Sequence, residues 1–86
     1  MIFTSDTINS KRLIRRYVND ADDIRIIISR CAIKADDKRI LEMILIERHN
    51  EGLVADTLGY SYSQIKRRFA VALESFMSVA KTLHYI

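Results

Sequence analysis

The segment Ser61-Tyr62-Ser63-Gln64-Ile65-Lys66-Arg67-Arg68 crowds hydroxyls, an amide and three consecutive cations into two turns of chain. Arginine and lysine donate to guanine O6 and N7, and serine and glutamine can address several base edges. Cations along the edges of such a surface neutralise phosphates. A run of charge is also what an ordinary solvated helix face looks like, so the chemistry depends on how the run is held.

Its neighbours say how. Gly59 suits the left-handed backbone that ends a helix. Ser61 caps the next helix, and Gln64 three residues later completes a capping box. Ile65, Phe69, Ala72, Leu73, Phe76, Ala80 and Leu83 then recur at helical spacing almost to the C-terminus. With Ile65 and Phe69 facing inward, Tyr62, Ser63, Lys66 and Arg67 project outward and Arg68 lies at the flank. Before the turn, Asn50 caps a short helix, Glu51 to Leu58, with Val54, Ala55 and Leu58 inward and Gly52 weakening its first turn. Two helices joined by residues 59–61 form a helix-turn-helix. That geometry leaves the start of the second helix free to enter a DNA major groove.

Three further helices are expected upstream. The first runs from Ser5 or Asp6 to about Val18, with Leu13, Ile14, Tyr17 and Val18 on one face and Lys11, Arg12, Arg15 and Arg16 on the rest. Asn19 and Asp20 break and cap the chain, and Asp22 and Asp23 suit the first turn of a second helix. Its buried stripe is Ile24, Ile27, Ile28 and Cys31, although Ile26-Ile27-Ile28 also permits a strand. Asp36 or Asp37 caps a third helix reaching about His49, with Ile40, Leu41, Ile44 and Leu45 inward and Met43 and Ile46 widening the stripe. So apolar a helix belongs at the centre.

The composition agrees. The chain has 86 residues, no proline and two glycines, which favours an all-α fold of four to five helices in one domain. Residues 1–35 are read as helical support, and 36–86 as the helix-turn-helix core and C-terminal helix. No apolar run approaches the ~18 residues of a membrane span, no signal peptide is read, and the single cysteine fits a reducing cytoplasm. Net charge is +3. Ten cations oppose nine anions before Gly52; from there on, four cations (Lys66, Arg67, Arg68, Lys81) oppose two anions (Asp56, Glu74).

The stretch EGLVADTLGYSYSQIKRRFAVALESF resembles the helix-turn-helix of sigma factor region 4, and more closely that of small phage-encoded transcription regulators. Ala55, Leu58-Gly59, Ser61, Ile65, Ala72-Leu73 and Phe76 carry the resemblance, which spans roughly residues 37 to 76. It implies double-stranded DNA as partner, with base-reading side chains at Tyr62, Ser63, Gln64, Lys66 and Arg67 and backbone contacts near Gly52 and Leu53. The other regions of a sigma factor are absent, and residues 1–35 match nothing in that family.

The remaining residue types have plainer roles. Cys31 reads as a small buried hydrophobe, and His49 and His84 lack metal-ligand spacing. The acid pairs Asp22-Asp23 and Asp36-Asp37 read as helix-start charges, with no nucleophile or base beside them to suggest an enzyme. No cofactor is implied. Lys11, Arg12, Arg15 and Arg16 read first as an exposed amphipathic face and second as phosphate ligands. Tyr60 packs under the turn or reaches a phosphate. Val79, Ala80, Leu83, Tyr85 and Ile86 form either a dimer seam or partner site, or a closure against the first helix.

The expectation is therefore an all-α, DNA-binding transcription regulator of phage or mobile-element type. Bases are read from Ser63, Gln64, Lys66 and Arg67, while Arg68 and the helix ends grip phosphates. Two other readings stand beside it. One is a protein-interaction module that binds RNA polymerase or another regulator without touching DNA. The other is a DNA-recognition role in phage packaging.

Overall fold

Asp20 begins the best-defined start in the N-terminal half: its carboxylate accepts the Asp22 N–H at 2.8 Å, and the acids at 22 and 23 follow in the first turn. In the computed structural model, which describes residues 5–86 and side chains from residue 11, this start opens helix α2, Ala21–Ser29. It follows α1, Ser5–Tyr17. Next come α3, Ala35–Leu41, a π-helical segment, Glu42–Ile46, then α4, Glu51–Leu58, and α5, Tyr62–Thr82. The described residues are all-helical. The radius of gyration, 11.9 Å, is that of a compact chain of this length, about 12 Å.

Helical periodicity wins over β-branching in α2. Ile24, Ile27, Ile28 and Cys31 are all buried, while Ile26 is exposed. The central helix buries Ile40, Leu41, Met43, Ile44 and Leu45. It departs from expectation at both ends. Lys34, without a side-chain cap, precedes its first residue, so Asp36 and Asp37 lie inside the first turn and do not cap it. Downstream the helix widens: the Glu47 N–H donates to the Glu42 carbonyl at 3.1 Å, a five-residue span. It stops at Ile46 rather than His49 because Arg48 turns left-handed (φ 59°). The His49 N–H then donates back to the Met43 carbonyl at 2.9 Å.

Helix α1 presents a narrower apolar edge than its sequence suggests. Ile14 and Val18 are buried, but Leu13 and Tyr17 remain 38% and 53% exposed. Among the described residues α1 packs chiefly on α5, and a helix covered mainly from one side buries only the stripe that faces it. At the other end, α5 stops at Thr82 without a glycine. His84 adopts φ 65°, and the Tyr85 N–H donates to the Ala80 carbonyl at 2.8 Å. The tail reaches α2: the Tyr85 hydroxyl donates to Asp23 Oδ1 at 3.2 Å. Val79, Leu83, Tyr85 and Ile86 pack partly buried against the core.

Candidate nucleic-acid interface

Local chemistry fixes the α4–α5 pair. The Leu53 N–H donates to Asn50 Oδ1 at 2.8 Å, capping α4. Gly59 ends α4 at φ 77°, and the N–H groups of Gly59 and Tyr60 both close on the Ala55 carbonyl, at 2.9 and 3.1 Å. Added side-chain bulk at Gly59 would meet nothing within 4 Å. The requirement there is the backbone angle itself, which costs an L-residue about 1–2 kcal/mol. Ser61 then caps α5 reciprocally: the Gln64 N–H donates to Ser61 Oγ at 3.2 Å, and the Ser61 N–H donates to Gln64 Oε1 at 2.9 Å.

Ile65 and Phe69, at 0% and 1% exposure, anchor this helix in the core. Across the axis Ser63, Gln64 and Arg67 are exposed. Tyr62 is half exposed, with the Lys66 ammonium 4.8 Å from its ring centroid. Gln64, Arg67 and Arg68 line a shallow open depression of about 250 Å³. The first N–H groups of α5 lie at the same end.

Two of the expected contact residues are committed to the protein itself. The Gln64 carbonyl oxygen holds the cap, which leaves its NH₂ as the outward group. A bidentate adenine contact needs both oxygen and nitrogen, so in one the Gln64 oxygen accepts a second hydrogen bond beside that of the cap. Arg68 donates to Asp37 Oδ1 at 2.9 Å and stacks 4.6 Å from the Tyr60 ring centroid. Its bond to Asp37 holds its proton more firmly than usual. The Tyr60 hydroxyl donates to Asp36 Oδ2 at 2.7 Å, and that bond pushes its pKa up. Sequence reading missed this latch because Asp37 lies 31 positions from Arg68.

Neither histidine joins a metal-like group; among the described residues no such cluster of three or more side chains forms. His49 lies 3.2 Å from Glu47, which Arg39 also holds at 2.7 Å. Cys31 is buried and donates to the Ile27 carbonyl at 3.3 Å. Burial raises its pKa, which favours the protonated thiol.

No protein-family model matches the chain, and searches of curated proteins and of solved structures found no significant match. No described helix is long and apolar enough to cross a membrane.

Proposed function

We propose that this protein is a sequence-specific double-stranded DNA-binding transcription regulator, of phage or mobile-element type, in which α4 and α5 act as a helix-turn-helix. The start of α5 enters the major groove. Ser63 and Arg67 read base edges, with the Gln64 amide, Lys66 and Tyr62 beside them. One observation carries the reading: a rigidly capped helix start turns Ser63, Gln64 and Arg67 outward while Ile65 and Phe69 fasten its other side. Pre-setting a helix in this way lowers the ordering cost of binding.

The test is selection of bound sites from random duplex DNA, run beside a Lys66→Ala/Arg67→Ala variant. The expected outcome is an enriched motif for the parent protein and a relaxed or lost one for the variant. Recovery of unenriched sequence by both would defeat the base-reading role. The second reading, a module that docks on RNA polymerase or another regulator, draws on the exposed apolar groups Leu53 and Val71. Salt separates the two, because phosphate binding weakens steeply as salt rises and an apolar interface does not.

A further inference from the structure

We propose that Arg12, Arg15 and Arg16 of α1 form a second, phosphate-gripping surface that holds the duplex backbone beside α5 without reading bases; this rests on the reading that α5 enters the groove. The major groove is about 12 Å wide and a helix with its side chains is about 10–12 Å across. A helix seated there fills the groove, so rows of phosphates pass over whatever flanks it on either side.

The flanks of α5 differ in charge. On the α3 flank the nearest groups are Asp36 and Asp37, already engaged by Tyr60 and Arg68. Two carboxylates on that side make it a less favourable place for a phosphate. On the α1 flank, Lys11 fixes the geometry. Its ammonium lies 3.9 Å from Glu51 Oε1, the first residue of α4, and 5.6 Å from the Phe69 ring centroid of α5. One α-helical residue turns about 100°. Arg15 therefore lies about 40° beyond Lys11, away from the buried Ile14 and Val18, and Arg12 and Arg16 follow further round. The arginine arc thus begins at the edge of α1 that touches the first turn of α4, and Leu13 and Tyr17 occupy the opposite edge.

All three arginines are exposed. Among the described residues no carboxylate lies within ion-pair reach of any of them. The Arg16 guanidinium rests 5.5 Å from the ring of its neighbour Tyr17. Guanidinium forks match phosphate oxygens, and three of them exposed together suit a polyanionic backbone.

The experiment compares the salt dependence of duplex binding for the parent protein, for Arg12→Gln/Arg15→Gln/Arg16→Gln, and, as a control, for Arg30→Gln at the exposed C-terminal cap of α2. Each phosphate contact adds about 0.9 to the slope of log affinity against log salt. The triple variant is expected to flatten the slope by roughly 2–3, to keep the parent's order of preference among sequences, and to unfold at an unchanged temperature. Should the triple variant fail to fold, the three single variants give the same readout, each flattening the slope by about one. An unchanged slope in a parent that binds DNA overturns this inference and leaves the α5 reading intact. A flattening by Arg30→Gln as large as that of each single α1 arginine variant overturns it as general charge. Absence of salt-dependent duplex binding by the parent overturns both.

Discussion

Arg67 and Arg68 are neighbours in the chain and belong to different parts of the molecule. Arg67 is exposed at the start of α5, whereas Arg68, about 100° round the helix, is bound to Asp37 and stacked on Tyr60. The same contrast holds between the two flanks of α5. The α3 flank is a closed latch in which acids and donors satisfy one another across 24 and 31 positions of sequence. The α1 flank turns its arginines outward. A basic run is thus not one functional unit; a helix deals its members alternately to solvent and to structure. Ile65 and Phe69 anchor α5, the latch closes its α3 flank, and Arg67 is left outward.

The contrast can be broken most forcefully from beneath. Phe69→Ala removes a ring that is 1% exposed and should cost about 3–5 kcal/mol in denaturant unfolding. A loss within about 0.5 kcal/mol, the range of surface changes, would mean that α5 is not anchored on that side. Arg67→Ala should leave stability within about 0.5 kcal/mol and cost about 1–3 kcal/mol of DNA affinity at one base position. An equal loss on every sequence would place Arg67 on phosphate only. Ser61→Ala should cost about 1 kcal/mol of stability through the lost cap. Thr in its place should recover most of it, and a melting experiment on both variants decides. Smaller still is the Arg68–Asp37 coupling: a double-mutant cycle should give a weak interaction that fades as salt rises, because the pair is partly exposed.

The weakest expected effect is an acid limb away from the interface. Arg39 first, then His49, depress the pKa of Glu47. A depressed carboxylate stabilises the fold above its unfolded pKa and loses that contribution as pH falls through the folded one. Glu47→Gln should therefore lower stability slightly at neutral pH and converge with the parent in acid. An equal difference at both pH values would show that the Arg39–Glu47 contact is not electrostatic.

What the sequence made legible was local. The Asn50 cap, the bounds of α4, the left-handed Gly59 and the Ser61/Gln64 box each follow from residues within four positions of one another. The α2 stripe was equally legible, because period alone distinguishes Ile26 from Ile27 and Ile28. What escaped depends on distant partners. The periodicity of α1 carries no information about which neighbour covers it, so Leu13 and Tyr17 looked as buried as Ile14 and Val18. The widening at Glu42–Ile46 answers to packing on several sides of the central helix, and no residue there signals it. The capping box predicted the bond that occupies the Gln64 oxygen, but its consequence for base reading emerged only with both hydrogen bonds in view. Arg68 was assigned to phosphate because its acid lies in another helix.

The most direct measurement is an amide chemical-shift titration of the whole chain with a mixed-sequence duplex at low salt. Shifts are expected at Ser61 to Arg67 and along Arg12 to Arg16, with Ile24 to Cys31 and the C-terminal tail unmoved. Shifts confined to α2 and the tail, or none anywhere, would contradict the DNA-binding reading.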